Sequence, residues 1–461
     1  MDGLRLRQVT MRERVWRRVH DRCKCDGGRP VVWTEEGEIG LARLVAGANA
    51  RLAELCGAGV RRGDRVVCAL AAGPAFVELS LAALEAEWTL VPVPPSADTS
   101  AMADAVDARA VVTTRDVRVR GAATPPTPDV RFLLATSGTT GAPRRLALSD
   151  ANLAAVLDSH RDALALNGGV LLSVLPWHHA FGLALELLPA LLDGAMVVRD
   201  SSGGRDAAEM LSTAERAAAR GSAITHLHAV PYTTRLLAAD EAGQTFLGGL
   251  RGGLVGGAPV DAALAAALAR TRLRVGYGQT EASPGVCLGA PGAWRAAALG
   301  RPVGCAVRLD PDGVLAFRGP NACLGEWHAG RASPLERLPA DRWVRTGDLA
   351  VAEDDGTYTF AGRAAESFKL ENGRYVAALP IEAAVRARHP QVREAVLSSP
   401  DGVSFVLAVS ADGHLPAVDA VRPLLGPLAE RPLRVVPVAA DAWVRTPKGE
   451  IDRRFPVGRA S

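Results

Sequence analysis

The segment that most restricts the fold lies between residues 65 and 93. RVVCALA (65–71) reads as a short buried strand, and TLVPV (89–93) as another that is closed by Pro94 and Pro95. Residues 74–86 between them form an apolar helix. Two strands joined by a crossover helix are the building block of a parallel sheet, and such a sheet needs helices to cover it. The predicted class is therefore α/β. At about 150 residues per domain, a chain of 461 residues allows roughly three folding units. A Pro-rich connector (GAATPPTP, 121–128) leads to strand-like RFLLA (131–135), and further strand and helix signals fill 170–275, with helices near 206–219 and 261–270. From about residue 300, PDG (311–313) and DDG (354–356) punctuate short strands. The last hundred residues mix strands (VREAVLSS, VSFVLAVS) with helices (PIEAAVRAR, AVRPLLGPLAE), as a small separate α+β unit.

Charge excludes some functions. The net charge is +3, and the arginines are dispersed, which argues against a nucleic-acid partner. Residues 5–24 are locally basic, but Asp2, Glu13 and Asp21 interrupt them and no apolar core follows, so a solvated first helix is expected in place of a targeting peptide. The longest apolar stretch, near 180–192, is broken by Glu186 and Pro189 and is too short for a membrane span. Seven irregularly spaced cysteines suggest reduced thiols and a cytoplasmic protein. Cys23, Cys25 and His20 have no second cysteine pair to complete a four-ligand site and are read as unliganded. Of 53 cationic residues only Lys24, Lys369 and Lys448 are lysines. In so arginine-rich a chain, a lysine can mark a place where a compact ammonium is required.

After the strand at 131–135 comes TSGTTGAPRR, in which Thr136, Ser137, Gly138, Thr139, Thr140 and Gly141 put four hydroxyls and two glycines into six residues. The glycines let backbone N–H groups approach an anion, the hydroxyls add donors, and the arginines that follow can grip phosphate oxygens. No lysine follows the second glycine, so this is not the GK[ST] type of nucleotide loop. The stretch resembles the phosphate loop of the adenylate-forming superfamily of acyl-CoA synthetases, luciferases and peptide-synthetase adenylation domains, with Arg144 where that pattern carries lysine. Six more matches follow in the superfamily's order: LPWHHAFGL (175–183), GGAP (256–259), YGQTEAS (277–283), RTGDLA (345–350), GRAAESFKLENGRYVAALPIE (362–382) and TPKGEIDRR (446–454).

The resemblance implies a large N-terminal multi-sheet α/β domain (1–361), a small mobile C-terminal α+β domain (362–461) and an active site between them. It implies attack of a carboxylate on the α-phosphorus of Mg-ATP, then displacement of AMP by a nucleophile. Arg144 and the loop would hold the leaving pyrophosphate, Glu281 would bind Mg2+, and Thr280 would contact the α-phosphate. Tyr277, with Gly278 and Gln279, would stack against adenine, and the backbone of Gly256, Gly257 and Ala258 would lie behind it. Asp348 would accept both hydroxyls of the ribose, and Arg363 would contact ribose or phosphate. His179 matches the substrate-gate histidine, with Phe181 and Gly182 beside it in the acid pocket. No acidic residue follows before Glu186, which favours a small-molecule acid, fatty or aromatic, without an α-amino group. CoA, an amine or a carrier-protein arm remain open as acceptors.

His226 and His228 alternate on a predicted strand and are read as structural. Lys369 matches the lysine used in the second step. The other superfamily lysine is replaced by Glu450, with Lys448 two positions earlier. Residues i and i+2 of an extended segment share a side, so Lys448 can supply the ammonium while Glu450 turns outward. The alternatives are activation of an unusual oxyacid such as nitrite, amide formation, or a degenerate nucleotide-binding homologue.

Overall fold

A computed structural model describes residues 14–121, 126–136, 144–331, 333–364, 367–371, 375–443 and 451. The chain divides into two compact units, one of Met1–Val307, Phe317–Val344 and Asp354–Tyr358, the other of Arg308–Ala316, Arg345–Glu353 and Thr359–Ser461.

In the first unit the strand–helix–strand segment is present as Arg65–Ala69, Pro74–Ala86 and Thr89–Pro92, with the two strands parallel. Pro74 starts the helix, where its missing N–H costs nothing, and the helix buries Phe76, Val77, Leu79 and Leu81. These strands are central to an eight-stranded sheet, in which Thr89–Pro92 also pairs in parallel with Phe132–Ala135. Phe132–Ala135 then pairs antiparallel with Arg145–Leu148. A second sheet orders Val170–Ser173 between the parallel strands His226–His228 and Met196–Arg199. A third run of four strands, Leu254–Gly256, Arg274–Gly278, Gly285–Leu288 and Ala298–Pro302, carries the glycine-rich motifs.

Helix Asp150–Leu164 follows the hairpin and is fixed at its start. Asn152 donates its backbone N–H to the Ser149 hydroxyl (3.3 Å) and returns its side-chain oxygen to the Ser149 N–H (3.0 Å), a capping box worth about 1 kcal/mol. The Asn152 side-chain amide also donates to the carbonyls of Pro320 and Ala322. Arg131 donates to Asp150 (2.6 Å) from the neighbouring sheet.

In the second unit, Val392–Ser398, Phe405–Ala411 and Leu433–Pro437 form a three-stranded sheet, and helix Ala378–Arg388 packs on Val392–Ser398. Its core includes Val385, Phe405, Leu407 and Val421. The helix expected over AVRPLLGPLAE is corrected to one short turn, Val418–Val421, followed by a 3-10 segment with a break at Gly426 (φ 54°). Pro423 and Pro427 lack the N–H groups an α-helix would need there. The basic N-terminal segment is helical over Val15–Asp26, and residues 1–13 lie outside the described residues. Among the described residues no helix is long and apolar enough to cross a membrane, and the seven cysteines are free.

Candidate active site

Register puts Ala135 opposite Arg145, and Thr136 donates its N–H to the Arg144 carbonyl (2.9 Å), so the loop is closed at its base. Ser137, Gly138, Thr139, Thr140 and Gly141 lie outside the described residues. The Thr136 hydroxyl is buried and has no partner among the described residues. Only the first of the two arginines reaches the Tyr-Thr-Glu motif. The Arg144 guanidinium is hydrogen-bonded to Glu281 and lies 3.6 Å from Glu326, while Arg145, one residue along the strand, takes no part in these pairs.

Glu281 stands in the 3-10 turn Thr280–Ala282, and its carbonyl accepts the Cys323 N–H (2.7 Å). Its carboxylate is nearly buried at 14% exposure, whereas the Arg144 side chain is 49% exposed. Cys323 beneath it is pushed up to about 12, first by burial and then by the Glu281 charge, so its thiol stays protonated.

Tyr277 belongs to strand Arg274–Gly278, which pairs in parallel with Leu254–Gly256 and antiparallel with Gly285–Leu288. Glycine is required here for close approach: a Cβ at Gly278 would stand 1.5 Å from the Pro284 carbonyl oxygen, and one at Gly256 would stand 2.4 Å from that of Gly276. The bare strands leave a cavity lined by Tyr277, by Gly256, Gly257, Gly276, Gly278 and Gly285, and by Phe181, Leu185, Leu254, Leu288, Pro284 and His160. Ala258 continues the exposed turn after Gly257, and Gln279 and Thr280 lead from the cavity strand toward Glu281.

The histidine motif is held from below. Trp177 is buried and donates its indole N–H to Glu186 (2.9 Å), and the Ser173 hydroxyl donates to the same oxygen. Arg199 donates to Ser173 and to the Leu175 carbonyl (2.6 Å). Burial raises Glu186 to about 7 against these hydrogen bonds. It sits in a one-turn π-helical segment, Leu183–Leu187, which begins two residues after Phe181. Phe181 lines the cavity. His179 is exposed at the preceding turn with its ring 4.4 Å from that of His178, and Gly182 is buried where a Cβ would meet the Pro176 carbonyl at 2.6 Å. Of the three expected pocket residues, then, Phe181 faces the cavity, while His179 and Gly182 occupy other places in its support.

His226 and His228 are buried and hydrogen-bonded. His226 meets the Thr225 hydroxyl (2.8 Å), and His228 accepts the Leu254 N–H (2.9 Å). Burial lowers them to about 4 and about 3, so both are neutral near pH 7. The residue that motif reading missed is His160, fully buried on helix Asp150–Leu164 and lining the cavity. A signal existed, since Asn152, Val156 and His160 recur at the helical spacing of i, i+4 and i+8 on a buried face.

The pattern of the AMP-binding enzyme family matches residues 104–325. The feruloyl-CoA synthase of an Amycolatopsis species is 30% identical over 383 residues, which cover 73% of this chain and 74% of that protein. This chain belongs to the AMP-binding, adenylate-forming enzyme family. Long-chain-fatty-acid–CoA ligase 1 of Homo sapiens is 34% identical over 119 residues, 23% of this chain, and the match spans only 17% of that ligase. The fold is shared with the O-succinylbenzoate coenzyme A synthetase (MenE) of Bacillus subtilis solved with AMP, at TM-score 0.73 and 18% identity over 96% of this chain and 97% of that one.

The second unit carries the remaining motifs singled out in the sequence. Asp348, 3% exposed in strand Val344–Ala352, pairs with Arg363 (2.8 Å) in strand Tyr358–Arg363. The Asp348 N–H donates to the Thr346 hydroxyl (3.0 Å), which in turn donates to the Leu315 carbonyl (2.8 Å), so the strand backbone around Gly347 (φ +76°) is fixed. Lys369 ends strand Ser367–Lys369, opposite Tyr375. Lys448 and Glu450 lie outside the described residues.

Among the described residues no cluster of three or more His, Cys, Asp or Glu side chains is spaced to enclose a metal ion. Magnesium arriving with ATP needs no such cage, because it keeps waters and phosphate oxygens and takes one or two carboxylates from the protein. Glu281, at the foot of the phosphate loop, fits that donor requirement.

Proposed function

We propose that this enzyme activates a carboxylic acid without an α-amino group as an acyl-adenylate and passes the acyl group to CoA. The observation that carries this reading is the convergence of Arg144 and Glu281, residues far apart in sequence, at the base of the phosphate-loop hairpin. In the first step an oxygen of the acid attacks the α-phosphorus, and the bond to the bridging oxygen breaks with its electron pair leaving on pyrophosphate. That leaving charge is the main obstacle, and a guanidinium with loop amides stabilises it. Glu281 holds the magnesium ion, which supplies charge neutralisation on the phosphates when bound. When ATP binds, Arg144 exchanges its carboxylate partner for phosphate oxygens. Thr136 and Thr280 donate to phosphate, Tyr277 stacks on adenine, and Asp348 with Arg363 holds the ribose. In the second step the CoA thiol attacks the acyl carbon, its proton leaves to solvent, and AMP departs.

The cavity lining supports an acid with no ammonium group, because among the described residues it offers no carboxylate to pair with one. Feruloyl-CoA synthase among the relatives supports an aryl acid. Residues 362–461 act as the mobile lid, Lys369 serves thioester formation, and Lys448 takes the place of the lysine replaced at Glu450. The free cysteines suit a reducing compartment.

The test supplies Mg-ATP with a panel of fatty and aryl acids and nitrite, and measures pyrophosphate and AMP. Acid-dependent pyrophosphate release, with AMP turnover on adding CoA, is the expected result. ATP binding with no release for any oxyacid would leave a degenerate nucleotide binder, and release with nitrite alone would replace the carboxylic acid.

A further inference from the structure

Resting on the acid-activating reading above, we infer that Glu326 is a positioning residue for Arg144: it holds one arm of the guanidinium while the other arm passes from Glu281 to the phosphates of ATP. Arg144 has two ion-pair partners among the described residues. Its Nη2 is hydrogen-bonded to Glu281, and its Nη1 lies 3.6 Å from a carboxylate oxygen of Glu326. The two arms of the fork therefore serve different carboxylates, one on the 3-10 turn Thr280–Ala282 and one on strand Gly325–Trp327.

Strand Gly325–Trp327 lies between Arg145–Leu148 and Leu335–Arg337 and is antiparallel to both, so the backbone at Glu326 is held from either side. Glu326 stands opposite Leu146, two residues along from Arg144 and on the same face of the sheet. Leu146 is buried and offers a carboxylate no polar partner. On the other side Glu326 stands opposite Glu336, and like charges directly across a ladder destabilise a sheet. Glu336 has its own cation in Arg331 (2.9 Å). Sheet packing thus gives no reason for an acid at 326, and Arg144 does. Once Glu281 turns to the metal, Nη2 loses its partner. A half-exposed arginine released there would regain its rotamer freedom and lose its alignment on phosphate. Glu326 stays beside Nη1, so the guanidinium turns about a held arm and presents Nη2 to the leaving pyrophosphate. The same arrangement accounts for arginine at this place in the loop pattern. An ammonium is a point charge, whereas a planar fork offers separate nitrogens to a carboxylate and a phosphate together.

The experiment is a double-mutant cycle of Glu326→Gln and Arg144→Lys in the full chain. It is read by acid-dependent exchange of labelled pyrophosphate into ATP and by calorimetric titration with magnesium pyrophosphate, with thermal midpoints recorded alongside. Glu326→Gln keeps the shape and removes the charge. It should lower kcat of exchange about 10-fold, weaken pyrophosphate binding about 5-fold, and leave the KM for the acid and the midpoint near wild type. Glu326→Asp should retain part of the lost rate. Arg144→Lys keeps the charge and loses the fork, and should lower exchange by about 10-fold or more; in that background Glu326→Gln should cost less than about 3-fold. Wild-type exchange in Arg144→Lys overturns the inference whether or not any Glu326 variant folds. An equal loss from Glu326→Gln in both backgrounds overturns it too, because a merely structural role predicts that result. No exchange in the wild type with any acid would sink the acid-activating reading, and coupling in the pyrophosphate titration would then still support the role of Glu326. Exchange without coupling would keep the activity and remove that role, and neither exchange nor pyrophosphate binding would remove both.

Discussion

The two ends of the candidate site in the first unit, one proposed for phosphate and the other for the acid, solve opposite electrostatic problems. At the phosphate end, Arg144 and Glu281 are charged and paired with each other, and the arginine is half exposed. At the acid end, His160 and Glu186 are fully buried, and the side-chain atoms His160 Nε2 and Glu186 Oε2 lack partners among the described residues. A pair open to solvent through its arginine contributes little to stability, so its residues are free to serve phosphate chemistry. A buried polar group contributes to stability or costs it, so its surroundings must be shaped around it. Substitutions should therefore separate activity from folding at the first end and affect folding at the second.

The largest effect belongs to the phosphate end. Arg144→Ala and Glu281→Gln should each lower acid-dependent pyrophosphate release by about 10²- to 10³-fold, with thermal midpoints close to wild type. A midpoint falling by many degrees would erase the contrast. At the acid end the order reverses. Glu186→Leu leaves the Ser173 hydroxyl and the Trp177 indole without their acceptor, and should cost about 2–4 kcal/mol in denaturant unfolding. Glu186→Gln keeps an acceptor and should cost less.

How much of this was legible in the sequence follows the same division. Motifs at the phosphate end are written in residue types that backbone geometry demands, such as Gly278, which packs against the Pro284 carbonyl, so they could be read in order along the chain. His160 could not, because its ring packs against Gly285 on a strand far away in sequence, and one histidine on a helix carries no record of that neighbour. Glu186 was visible only as an interruption in an apolar run; its partners Ser173, Trp177 and Arg199 are gathered by the sheet. The strand–helix–strand unit was read correctly because its apolar runs match its element lengths. The final apolar stretch was misread as helix because two prolines and Gly426 outweighed its hydrophobic pattern.

Acid should distinguish the ends further. His160, His178 and His226 are lowered to about 4, and His228 to about 3, chiefly by burial. The unfolded chain gains protons on them below about 6.5 while the folded chain does not, so their contribution to stability is present above that pH and is lost as pH falls toward 4. Glu186 acts in the opposite sense. Its folded value, about 7, lies above the ordinary 4.5, so its contribution declines as pH rises between those values. Thermal midpoints recorded from pH 4 to 8 should fall steeply on the acid side, and Glu186→Gln should flatten the component between 4.5 and 7. A wild-type midpoint independent of pH below 6.5 would contradict the buried, neutral state of the histidines. The smallest effect is at the helix that carries His160: Ser149→Ala removes one half of the capping box and should cost about 1 kcal/mol, read as a shift of the denaturant midpoint.

The central claim is that Arg144 and Glu281 leave each other for the phosphates and magnesium of ATP when an acid is activated. Exchange of labelled pyrophosphate into ATP reads this first step without any acceptor. The account predicts exchange that requires both magnesium and an acid, proceeds without CoA, and is nearly abolished in Glu281→Gln. Exchange of equal rate in Glu281→Gln, or none in the wild type with any acid, would contradict it.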